Sequence, residues 1–151
     1  MPMPQRSISR LLLCAVLLVA ASLAQAAKPR PAAAEDPLEA SIAGEFALQS
    51  GQLPEAARRY LQAARSANDP VLAERATRIA LLANDDALAR QSYELWRALA
   101  PQQSVPRQAI AATLALRAGD KRAARRELRV LVTDGEDGWK YVLGALIGAA
   151  G

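Results

Sequence analysis

Residues 44–60 read GEFALQSGQLPEAARRY, and this stretch decides the fold. It holds a helix end, a tight turn and a helix start. Gly51 suits the left-handed conformation that closes helices, and Pro54 falls where a first helical turn tolerates proline. Beyond it, Ala56, Ala57, Tyr60, Leu61 and Ala64 recur at helical spacing and give the second helix an apolar face. Before the turn, Leu38, Ile42 and Phe46 stand at i, i+4 and i+8, the apolar stripe of a first helix that runs to about Ser50.

The same phrase recurs downstream. Asn68-Asp69-Pro70 ends the second helix and opens the third, with Asp69 as its N-cap. A helix over 71–82 presents Leu72, Ala76, Ile79 and Ala80, and Asn84-Asp85 turns the chain into a partner over 87–99 that Pro101 terminates. A third pair, 105–118 and 121–132, flanks the turn Gly119-Asp120. No segment offers the alternating period of a strand.

The turn residues Gly51, Asn84 and Gly119 are 33 and 35 residues apart. In that register Gly44, Thr77 and Ala112 occupy the helix crossings, Ala56, Ala89 and Ala124 open the second helices, and Tyr60, Tyr93 and Leu128 follow four later. Small residues let paired helices approach closely, and bulky ones fill the groove between successive units. A period near 34 with a helix-turn-helix in each unit marks the tetratricopeptide repeat, and the chain resembles that family over about 100 residues. It departs from the pattern at Trp96, where a small residue is usual, and at Gly135-Glu136-Asp137, where the third unit lacks a closing proline. The resemblance implies an all-α fold, a right-handed α-α superhelix. This would be a solenoid of about three helix pairs (38–69, 70–103 and 104–137), closed by a terminal apolar helix over 138–151. The competing arrangement is a compact bundle of six or seven helices.

The phrase Gly44 to Tyr60, followed by Asp69-Pro70, the run Arg75 to Ala80 and Leu95-Trp96, is also similar to the amino-terminal part of long exported tetratricopeptide proteins of Gram-negative bacteria. Some of those are outer-membrane lipoproteins that act as adaptors for a periplasmic processing protease. The similarity implies an exported scaffold or adaptor without catalysis of its own, whose partner is another protein such as a periplasmic protease or envelope enzyme. The alternative is a structural or oligomerising helical protein, or a piece of a longer repeat protein, with no independent groove.

The N-terminus supports export. Arg6 and Arg10 precede the apolar run Leu11 to Leu23, which closes on Ala24-Gln25-Ala26. That order is the grammar of a secretory signal peptide over 1–26. Its apolar core is too short to cross about 30 Å of hydrocarbon. Cys14 is badly placed for lipidation, because Leu11, Leu12 and Leu13 precede it where a lipobox needs a small residue. A Pro/Ala-rich linker over 27–37 then leads into the helices. Cleavage after Ala26 removes the only cysteine and two of the four net positive charges, so the basic balance is weak grounds for nucleic-acid binding. The expected location is periplasmic or envelope-associated, with no membrane span after cleavage.

Catalytic chemistry finds little material. The chain has no His, and its adjacent acids Asp85-Asp86 and Glu136-Asp137 fall at turns, where helix starts favour carboxylates. No catalytic residue, cofactor or metal site is expected. The partner-binding candidates are the positions expected to be exposed on the first helices that would line a concave face: Glu45, Gln49, Arg75, Arg78 and Gln108. To these is added the basic strip Lys121, Arg122, Arg125, Arg126 and Arg129, which could meet an acidic partner or an anionic lipid surface but reads first as a solvated outer face partly neutralised by Glu127. Trp139, Val142, Leu143, Leu146 and Ile147 give the last helix an apolar surface suited to self-association or to folding over the third pair.

Overall fold

The computed structural model describes residues 36–133 and 135–150, and among these the regular structure is entirely α-helical. The signal peptide expected over 1–26, with Cys14, and most of the expected linker lie outside the described residues. Seven helices follow in chain order: α1 Pro37–Gln49, α2 Leu53–Ala67, α3 Pro70–Leu82, α4 Asp86–Leu99, α5 Val105–Arg117, α6 Lys121–Val132 and α7 Gly138–Ala150. The linker ends earlier than its composition suggests, because Asp36 and Pro37 start α1 as N-cap and first helical residue. The Asp36 carboxylate accepts from the Leu38 N–H at 2.9 Å.

Aspartate caps define three of the other starts. Asp69 accepts from the Val71 N–H at 2.7 Å, Asp85 from the Leu88 N–H at 2.9 Å, and Asp120 from the Arg122 and Ala123 N–H groups at 3.1 and 3.0 Å. Each relieves donors that a helix start leaves unpaired. The helix ends of the three pairs close in one and the same way. Gly51, Asn84 and Gly119 sit at φ of 73°, 56° and 70°. The next N–H, of Gln52, Asp85 and Asp120, reaches back to the carbonyl of Ala47, Ala80 and Ala115 at 2.9, 3.0 and 3.0 Å. This is a Schellman turn, made once inside each pair and again at Asn68 (φ 51°), where the Asp69 N–H reaches the Ala64 carbonyl at 3.1 Å.

Turns this tight fold each helix back on its predecessor. From α1 to α4 every helix packs extensively on the next, and α5 packs on both α6 and α7. Ala56, Ala63, Ala73, Ala76, Ala80 and Ala89 are fully buried, which permits that closeness. At the first crossing the Gly44 backbone lies so near the Tyr60 ring that a Cβ there would stand 3.2 Å from two ring carbons. Thr77, Ala112 and Ala124 are buried, whereas Tyr93 and Leu128 are half-buried.

The joint between α4 and α5 is slight. Trp96 is buried where the first pair has Ala63, and it belongs to one apolar cluster with Ile110 and Leu114 of α5. A second cluster, Ala112, Leu131 and Ala145, unites α5, α6 and α7. Two guanidinium groups secure the joint. Buried Arg107 donates to the carbonyls of Ala100 and, at 3.3 Å, Pro101, while Arg117 donates to Asp86 at 3.0 Å and to the Gly148 carbonyl at 2.8 Å.

Leu38, Ile42 and Phe46 share one stripe of α1, and that stripe points outward: they are 65%, 61% and 73% exposed. The buried face of α1 is Ala40, Gly44 and Ala47, because only small side chains let α1 approach α2 and the Tyr60 ring.

Candidate functional site

An apolar groove of about 550 Å³ lies between α3, α5 and α7. Leu81 and Leu82 come from the end of α3, Pro106 and Ile110 from the start of α5, and Tyr141 with Gly144 from α7. The groove exists because the α4–α5 joint is wide and α7 rests on α5 through its small face. Ala145 is buried there, and the Gly148 Cα lies so close that an added Cβ would meet the Thr113 methyl at 3.3 Å. Larger side chains at those positions would push α7 away and open the floor. Leu82 is 70% exposed at the edge, which gives the groove an apolar lip that solvent reaches. Arg78, paired with Glu74 at 2.7 Å, and Arg117 bring cationic groups to the wall. A cleft of this kind, apolar with a few fixed polar groups, suits a peptide or helix from another protein.

The five residues expected on one concave face are distributed over separate places. Glu45 and Arg75 meet: the Arg75 guanidinium lies 2.5 Å from the Glu45 carboxylate and 4.6 Å from the Tyr60 ring centre, and the Tyr60 hydroxyl donates to Glu45. Burial, and then the hydrogen bond to Glu45, push the Tyr60 hydroxyl up to about 12. Glu45 is therefore half-buried and engaged with two partners rather than free. Gln49 is exposed at the end of α1. Arg78 alone of the five reaches the apolar groove. Gln108 is half-buried and donates to Glu127 at 3.0 Å, in a small polar pocket of about 190 Å³ shared with Tyr93, Arg97 and Arg107. Helical phase puts Gln108 on the α6 side of α5, where a partner carboxylate awaits it.

The basic strip of α6 is exposed throughout. Arg126 pairs with Glu127 at 2.8 Å, while Lys121, Arg122, Arg125 and Arg129 have no acidic partner among the described residues. Beside it runs a shallow apolar groove of about 560 Å³ floored by Leu116, Ala124, Leu128 and Val132. On α7, Trp139, Leu143, Leu146 and Ile147 are exposed and Val142 packs inward, so the helix rests on the third pair and keeps an apolar outer face.

The groove residues Leu81, Leu82, Ile110, Tyr141 and Arg117 escaped sequence reasoning as a set. They come from three helices distant in sequence, and only the phase of each helix was legible beforehand. Among the described residues no group of three His, Cys, Asp or Glu side chains is arranged to hold a metal ion, and no helix is long and apolar enough to cross a membrane. Comparison with known proteins yields no matching family model, curated protein or solved structure.

Proposed function

We propose that the chain is an exported, tetratricopeptide-type scaffold that binds a segment of another envelope protein in the groove between α3, α5 and α7. The observation that carries this reading is the groove itself. In the 33- and 35-residue register, α3 and α5 are the first helices of the second and third units, and α7 follows the third unit in the chain and rests mainly on α5. First helices line the concave, ligand-facing side of such repeats. Its apolar lining favours a segment with large aliphatic or aromatic anchors over a polar extended one. The N-terminal arrangement of Arg6, Arg10, the Leu11 to Leu23 run and Ala24-Gln25-Ala26 supports an encounter in the periplasm or envelope. A periplasmic protease or another envelope enzyme is the partner class that the resemblance suggests, and the chain contributes binding rather than chemistry.

The test is partner recovery from the envelope fraction with the tagged full chain and with Leu82→Glu. Leu82 is exposed, so the substitution leaves the fold intact while placing a charge on the groove's lip. An envelope protein that copurifies with the wild-type chain and with Val71→Glu, an exposed control elsewhere on α3, but not with Leu82→Glu is the expected result. Equal recovery by all three overturns the groove as the docking site.

A further inference from the structure

The repeat register states what the outward stripe of α1 lacks. Ile42 and Phe46 occupy the positions that Ile110 and Leu114 hold on α5, and Phe46 also corresponds to Ile79 on α3. Ile79, Ile110 and Leu114 are all buried, and they belong to the apolar cluster that joins successive pairs. In the first pair the same positions face outward, with Leu38 beside them. The surface is thus an inter-pair contact face without the second helix of a preceding pair upon it.

The other end of the helix array offers such a helix. α6 is the second helix of the third pair, the counterpart of α2, on which α3 packs extensively. Because α7 rests mainly on α5, the face formed by Leu128 and Val132 of α6 with Leu116 of α5 is left open. The charges match as well. α1 carries no basic residue and presents Glu39, with Asp36 as its cap and Glu45 already paired with Arg75, whereas α6 carries five cations against Glu127 alone.

We infer that copies of this chain associate head to tail, the Leu38/Ile42/Phe46 stripe of α1 docking on the basic, apolar-floored face of α6 of the next copy. The contact reproduces between molecules the burial that Ile110 and Leu114 find beside Trp96 at the α4–α5 joint; on α3 only Ile79, the counterpart of Phe46, is buried, while Val71 and Arg75 stay exposed. The two surfaces differ, so the interface is heterologous and each copy retains one free end. Association therefore grows with concentration beyond the dimer. It also weakens as salt rises, since the Debye length falls from about 30 Å at 0.01 M to about 3 Å at 1 M. Self-assembly of this kind needs no foreign partner, and its failure leaves docking at the α3/α5/α7 groove untouched.

The experiment is sedimentation velocity on the full chain as purified from expressing cells, with two variants that each disable one end. Phe46→Glu disables the α1 stripe, and the double variant Arg125→Glu/Arg129→Glu disables the α6 face. All three positions are exposed, and matching circular dichroism melts verify that the variants fold. Each variant alone is expected to sediment as a monomer, its association weakened roughly 10- to 100-fold by the lost apolar burial or by charge repulsion. Mixed in equal amounts, the two should form a one-to-one dimer that grows no further, because one intact α1 stripe meets one intact α6 face. A wild-type chain that stays monomeric at all concentrations overturns the inference. So does a wild-type dimer that neither variant disturbs, which would place self-association on the outer face of α7.

Discussion

Replacing Arg117 with Met should loosen the third pair and α7 while leaving α1 to α4 intact. The Arg117 side chain is only 9% exposed and spans three helices: Nε donates to the Gly148 carbonyl at the end of α7, and Nη1 donates to Asp86 at the start of α4. Methionine keeps most of the aliphatic stem and removes both interactions. A hydrogen bond from a charged donor contributes about 1.5–3 kcal/mol, and the lost partner leaves the Gly148 carbonyl half-buried and unpaired. Asp86 is partly hydrated, so its ion pair adds no more than about 1 kcal/mol. A total near 2–3 kcal/mol follows, equivalent to roughly 30- to 150-fold faster exchange for amides that open with this unit. Hydrogen exchange read by mass spectrometry resolves it. Faster exchange confined to α5, α6 and α7 is the expected pattern. Unchanged protection in α7, or an equal rise across α1 to α4, would refute the assignment of Arg117 as the tie between these elements.

Further substitutions address the repeat itself. Ala56→Leu and Ala89→Leu each overfill a fully closed helix crossing and should lower stability by about 1–3 kcal/mol in urea denaturation; two neutral results would contradict the equivalence of the positions. Gly119→Ala meets open space but forces a Cβ into φ of 70°, so a loss of about 1 kcal/mol is expected from backbone conformation alone. Raised above its ordinary 10 to about 12, the Tyr60 hydroxyl contributes stability that is complete below pH about 10 and lost as pH rises to about 12. Tyr60→Phe should flatten that alkaline limb of the melting temperature, and an unchanged limb would count against the buried bond to Glu45. N-terminal sequencing of protein recovered from the periplasm should begin at or within a residue or two of Ala27, whereas retained Met1 on cytoplasmic protein would remove the premise of export.

The helical class was legible from spacing and punctuation. Gly51, Asn84 and Gly119 could be aligned before any coordinate was known, and each takes the same left-handed conformation because each ends a helix that must reverse at once. The inward face of α1 was not legible. Leu38, Ile42 and Phe46 and the competing set Ala40, Gly44 and Ala47 both satisfy a helical period, and hydrophobicity favours the larger set. Burial followed the smaller set because the approach of α2 is limited by side-chain size at the crossing. The candidate site was legible only in part. Arg78 was chosen for its phase on α3 and does reach the groove, but Leu82, Ile110 and Tyr141 meet there only because the α4–α5 joint is wide and α7 settles on α5 through Ala145 and Gly148. Spacing along one helix carries no information about gaps between helices that are not consecutive. Gln108 shows the converse, since its phase allowed exposure and its neighbour Glu127 took it up.

Site-specific photo-crosslinking in the living envelope tests the central claim most directly, with the photoreactive residue placed at Leu82 on the groove's lip or at Val71 on the same helix away from it. Docking in the groove predicts a discrete crosslinked species of one partner mass from position 82 and none from position 71. Crosslinks from both positions alike, or from neither while a partner still copurifies, would contradict a binding site between α3, α5 and α7.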